Sequence, residues 1–198
     1  MKQSYITKAF QKTVEKQFLA QSEALNAAFQ KRLTDLWVES ADASRELQEH
    51  LEVQILPGIA AYETLQTVMP KADALKTVHG YVEERAWKIK RGLVGLMHIP
   101  GLYKKIPGIA AKAVRKTFGT EAGFAATELQ TDSTTWRIDM TKCPYHDACV
   151  RYGCPELCPS FCDSDDITYD GLHENLLWRR TKTLGRGDDR CDFCLKLK

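Results

Sequence analysis

The sequence predicts an α+β fold, with a helical N-terminal half packed on a small antiparallel β-sheet that carries a cysteine-rich helical insertion. Three observations predict it. Apolar residues recur at threes and fours through most of the first 118 residues, the period of a helical face. After Gly119, short segments rich in Thr, aromatic and β-branched residues are separated by turn residues, the pattern of hairpins. All seven cysteines, Cys143, Cys149, Cys154, Cys158, Cys162, Cys191 and Cys194, fall in the last third, most of them between the two expected strand pairs. Residues 1–118 are thus expected to form a helical region and 119–198 a sheet with its insertion, together one compact domain.

The elements follow in order. From Tyr5 to about Glu39, Ile6, Phe10, Val14, Phe18, Leu25, Phe29, Leu33 and Leu36 mark one helical face, with Lys, Gln and Glu opposite. A second helix fits Ala43 to Gln54. A third is expected to start at Pro57, because proline is tolerated in a first turn. A long helix runs from Ala72 to about Met97 and another from Pro107 to Phe118. Phe124 to Gln130 and Thr134 to Met140 read as a hairpin about Thr131-Asp-Ser. Leu176 to Leu184 and Arg190 to Leu197 read as a second strand pair. Pro-Gly-Ile-Ala-Ala occurs at 57–61 and again at 107–111, which reads as two similar helix starts with small residues where helices pack closely.

With 198 residues, 43% hydrophobic and 27% charged, the chain can bury a core without cross-links. A net charge of +2 gives no global field to steer nucleic acid. The opening MKQSYITKAFQKTVEKQF has no apolar run of the kind a signal peptide needs. The stretch from Gly92 to Tyr103 falls short of the ~20 apolar residues of a membrane span. Seven cysteines without a secretion signal point to a reducing cytoplasm and free thiols. From Arg85 to Lys116 there are nine Lys or Arg and no Asp or Glu. This stretch is either a solvated helical face or a surface for an anionic partner. The long N-terminal amphipathic stretch is suited to a homo-oligomer.

Three chemistries compete for the cysteine segment. The gaps between Cys143, Cys149, Cys154, Cys158 and Cys162 are five, four, three and three residues. These match no familiar zinc knuckle, although Cys143, Cys154 and Cys158 remain candidate ligands for zinc or another metal, with iron–sulfur ligation or a redox module as the alternative function. Cys191-Asp-Phe-Cys194 has the spacing of a redox dithiol, but on a strand its two cysteines point to opposite faces. A reactive thiol is the third possibility. Cys162 is followed by Asp163, Asp165 and Asp166, and its activation would need His146, an arginine or a helix N-terminus. His146 is a candidate general base near neutral pH. Arg179 and Arg180 should face opposite ways, and an inward one is suited to hold a carboxylate.

Several blocks occur in an order that carries a resemblance: Pro57-Gly-Ile-Ala-Ala-Tyr62-Glu-Thr-Leu, Ile138-Asp-Met-Thr-Lys-Cys143-Pro-Tyr, Pro155-Glu-Leu, Phe161-Cys162-Asp-Ser-Asp165, Arg180-Thr-Lys-Thr183-Leu-Gly-Arg-Gly187 and Cys191-Asp-Phe193. Together they resemble the L-2-amino-thiazoline-4-carboxylic acid hydrolase family over residues from about 50 to 195. The resemblance implies hydrolytic opening of 2-aminothiazoline-4-carboxylate, a cyclic amidine, to a carbamoyl-cysteine. It places Cys143, Cys162 and Cys191 at family-like positions, with Cys149, Cys154, Cys158 and Cys194 as additions. On that basis Cys162, Asp165 and His146 are the expected catalytic residues. Arg180, Thr183 and Cys191 are the expected contacts of a small substrate bearing a carboxylate, and no cofactor is firmly implied.

Overall fold

The computed structural model describes residues 4–198. Helix α1 (Tyr5–Gln17) starts at Ser4, whose Oγ accepts from the Thr7 N–H at 3.1 Å. It buries Ile6, Phe10 and Val14, and α2 (Ser22–Val38) buries Leu25, Phe29, Leu33 and Leu36. The single helix expected from Tyr5 to Glu39 is therefore two. A short 3₁₀ turn at Leu19–Gln21 breaks it. On one straight helix Phe10 and Phe29 would stand about 28 Å apart at 1.5 Å per residue. Instead their rings stack at 4.4 Å. The chain folds back because this buries both apolar stripes against each other, leaving Leu19 exposed at the turn.

The opposite correction applies next. The separate helices expected at 43–54 and from Pro57 form one continuous run of α3 (Arg45–His50), a π-helical turn (Leu51–Ile55) and α4 (Leu56–Leu65). Pro57 has no N–H to offer the carbonyl four residues back, and the widened turn before it accommodates that loss without a break. Gly58 lets α4 approach closely, since a Cβ there would lie 2.6 Å from the Phe161 ring. Helix α5 (Lys71–Met97) packs against α1 and α4, and α6 (Ile106–Thr117) lies over the sheet.

The sheet has strands β1 (Ala125–Thr131), β2 (Thr135–Lys142), β3 (Leu176–Arg179) and β4 (Cys191–Leu197), antiparallel throughout in the order β1-β2-β4-β3. Register pairs Ile138 with Phe193 and Met140 with Cys191, and alternation turns these side chains to one buried face. β3 is shorter than the expected Leu176 to Leu184. The Asp192 carboxylate accepts from the backbone N–H groups of Thr181 (2.7 Å) and Lys182 (2.6 Å), taking the donors a longer ladder would use. Between β2 and β3 lie α7 (Pro144–Arg151) and α8 (Cys158–Tyr169). α8 packs along α5, so the cysteine-rich insertion joins the helical layer. No described helix is long and apolar enough to cross a membrane.

Candidate active site

A cavity of about 390 Å³ lies where α5, α6 and α8 meet the buried face of the sheet. Of the elements that supply its polar groups, α8 gives the most. Pro159 sits in the first turn of α8, where its missing N–H costs nothing, so the helix runs on unbroken from Cys158. Cys162, Asp165 and Tyr169 then recur at threes and fours along one face, and all three line the cavity with the neighbouring Ser164. Cys143 and Tyr145 enter from the start of α7, Arg180 from the residue after β3, and Cys191 from the first residue of β4.

Arg180 organises this group. Its side chain is only 2% exposed. Its Nη1 stands 3.5 Å from Asp165 Oδ2, and its Nη2 donates to the Cys162 carbonyl at 3.0 Å and also to the Asp166 carboxylate. Trp178 Nε1 donates to the other Asp166 oxygen at 2.8 Å, which fixes that carboxylate in place. The guanidinium also lies 5.5 Å from the centre of the Phe193 ring. Burial alone would weaken the proton affinity of Arg180, but Asp165 and Asp166 outweigh it and raise its pKa.

Asp165 is the perturbed carboxyl. Poor solvation pushes its pKa up to about 7; Arg180 opposes the shift and Asp166 adds to it. Its side chain keeps 41% of its surface accessible, but it lines a largely apolar cavity, where accessible surface is not well hydrated. The thiols are held in their protonated form. Burial pushes Cys143 up to about 12, against the backbone N–H groups of His146 and Tyr145, and it pushes Cys191 up to about 11, against the Leu184 N–H that donates to its sulfur at 3.3 Å. The Cys162 thiol is raised by its hydrogen bond with Cys158 and by burial.

The sequence-predicted residues divide. Cys143, Cys162, Asp165, Arg180 and Cys191 come together at the cavity. His146 is not among the lining residues; its Nδ1 sits 3.7 Å from Asp147 Oδ1. Thr183 also lies off the cavity. Its N–H donates to Asp188 at 2.7 Å, shaping the loop that brings Gly185 against the sulfur atoms of Cys158 and Cys162. Cys149, Cys154 and Cys158 are buried behind the cavity in the helical core. The Cys149 thiol bridges those of Cys154 and Cys158, and Cys158 continues to Cys162, a line of thiols rather than a cage. Among the described residues no three His, Cys, Asp or Glu side chains converge as a metal ion requires.

Sequence reasoning missed Tyr145, His50 and Gln54. The Tyr145 hydroxyl lies 3.2 Å from both His50 Nδ1 and Gln54 Nε2, while His50 Nε2 meets the Thr117 carbonyl at 2.8 Å. A carbonyl can only accept, so Nε2 carries the proton and Nδ1 accepts from Tyr145. Tyr145 stood in the Cys143-Pro-Tyr block and could have been found there. His50 precedes the π-helical turn and Gln54 lies within it, and no local pattern announced that turn.

No curated protein matches the chain. The family model for L-2-amino-thiazoline-4-carboxylic acid hydrolase matches residues 48–195. That span begins just before His50 and includes every residue lining the cavity, and the chain belongs to this hydrolase family.

Proposed function

We propose that the cavity hydrolyses a cyclic amidine of the 2-aminothiazoline-4-carboxylate type, with Asp165 as the group that carries the proton. The observation behind this is a carboxyl with a pKa of about 7, set beside an arginine and three protonated thiols. A general acid–base group is most effective when its pKa lies near the working pH. The ring carbon bonded to sulfur and two nitrogens is electrophilic, more so when the amidine is protonated, and ionised Asp165 attracts that cation.

In this reading Asp165 takes a proton from water as the water oxygen bonds to the ring carbon. One ring bond to that carbon then breaks as the new hydroxyl becomes the carbonyl. The hydroxyl proton goes to solvent, balancing the one the amidinium brought, and the leaving heteroatom receives the proton from Asp165. The product is a carbamoyl-cysteine, the substrate plus one water. Arg180 is the cation among the lining residues and holds the substrate carboxylate. Protonation of Asp165 strengthens that hold by removing a competing charge. Cys143, Cys162 and Cys191 contribute neutral S–H groups around the ring. The raised thiol pKa values favour attack by water over a thiolate adduct.

Turnover of 2-aminothiazoline-4-carboxylate, followed by mass spectrometry for the carbamoyl-cysteine, tests this reading. Loss of turnover in Asp165→Asn is expected; wild-type protein that leaves both this compound and its N-alkyl analogues unchanged would overturn it.

A further inference from the structure

The cavity is larger and more apolar than a small polar ring requires. Only Asp165 and Arg180 among its lining residues are charged, and they face each other at 3.5 Å. The polar groups come from α7, α8, the facing ends of β3 and β4, and Gln54 of the π-helical turn. α5 and α6 contribute apolar side chains alone, among them Leu93 and Met97 from the first, and Ile106, Ile109, Ala110 and Val114 from the second. The sheet adds the aromatic wall of Trp136, Trp178 and Phe193. At about 390 Å³ the space falls within the ~300–1,000 Å³ range of pockets for larger organic ligands. Ile89 and Ile109 line it while remaining 37% and 48% exposed, so apolar surface continues from the cavity to the outside.

Two facts argue that this space holds part of the substrate rather than serving as packing. Ala111 of α6 already packs into the cluster that buries Trp136, Ile138 and Phe193, yet the volume beside that contact stays open. The open volume is also continuous with the Asp165–Arg180 group, since one cavity contains both. We propose that the substrate is amphiphilic: its reactive polar head lies at Cys162, Asp165 and Arg180, and an apolar chain or ring extends between α5, α6 and the aromatic wall. This rests on the hydrolase reading above and adds the substrate class.

The test uses 2-(methylamino)-, 2-(butylamino)- and 2-(octylamino)thiazoline-4-carboxylate, which keep the ring and carboxylate and lengthen only the apolar part. Binding to the wild-type protein is measured by calorimetry and hydrolysis by mass spectrometry. Kd should fall about fourfold per methylene until the cavity is full. Ala110→Phe, which fills the space from α6, should flatten that dependence, and Ala113→Phe serves the same purpose if the first variant fails to fold. A Kd independent of chain length, or a filled variant that binds the octyl compound as tightly as wild type, would overturn the proposal. Chain-length-dependent binding with no hydrolysis of any compound would overturn the hydrolase reading and leave the amphiphilic ligand standing.

Discussion

Arg180 Nη1 lies 3.5 Å from Asp165 Oδ2, with the guanidinium sealed from solvent and its other edge taken by Asp166. The arginine lowers the cost of ionising Asp165 without cancelling the effect of its surroundings, so the carboxyl titrates near neutrality. Asp165→Asn keeps the shape and removes the proton carrier. Its kcat is expected to fall by about 10²–10⁴. Cys162→Ala should lose markedly less, because water is the nucleophile; equal losses in the two variants would indicate a covalent route through sulfur.

The same carboxyl makes stability depend on pH. Its folded pKa of about 7 lies above the ordinary 3.8, so the folded protein retains a proton that the unfolded chain has lost. Stability therefore declines as pH rises from about 4 to about 7 and is level above. Asp165→Asn removes that decline. Because the side chain is partly exposed to the cavity, the gain at pH 8 is expected near 1 kcal/mol. That corresponds to about 2–4 °C in Tm for a chain of this size, vanishing towards pH 4. Thermal melts at both pH values check it.

Arg180→Met leaves Asp165 and Asp166 without their cation. The protein should lose about 3 kcal/mol, the lower end for a broken buried pair since both carboxylates retain some exposure. Asp165 should titrate still higher. The acid limb of the rate profile then moves to higher pH, an effect that structural damage alone would not produce.

Gly185 carries a prediction about the loop. A Cβ there would lie 2.9 Å from the sulfur atoms of both Cys158 and Cys162. Gly185→Ala should cost about 1–3 kcal/mol through overpacking and reduce turnover by displacing Cys162. Removing one obstacle in Cys158→Ala/Gly185→Ala should recover part of both, a coupling that a double-mutant cycle measures.

The α+β architecture and the hairpins could be read from apolar periods and turn residues, because each reports on a local face. The fold-back at Phe18 could not, since no Gly or Pro marks it and the stripe continues in phase beyond it. Of the site, Cys162 and Asp165 were visible because thiol and carboxylates stand side by side in the Phe161-Cys162-Asp-Ser-Asp165 block. The contacts of Tyr145 with His50 and Gln54 were not, because they join residues more than 90 positions apart. The apolar lining was hidden differently. Leu93 and Ile106 fall in the basic stretch from Arg85 to Lys116, and an apolar stripe facing a cavity has the same pattern as one facing a neighbouring helix.

The most direct test of the central claim, that Asp165 carries the proton, is the pH dependence of kcat/KM for wild type and Asp165→Asn on 2-aminothiazoline-4-carboxylate. Wild type should rise with pH through a limb near 7, and the variant should lose both the rate and the limb. A variant that keeps wild-type turnover and the same limb would contradict the account.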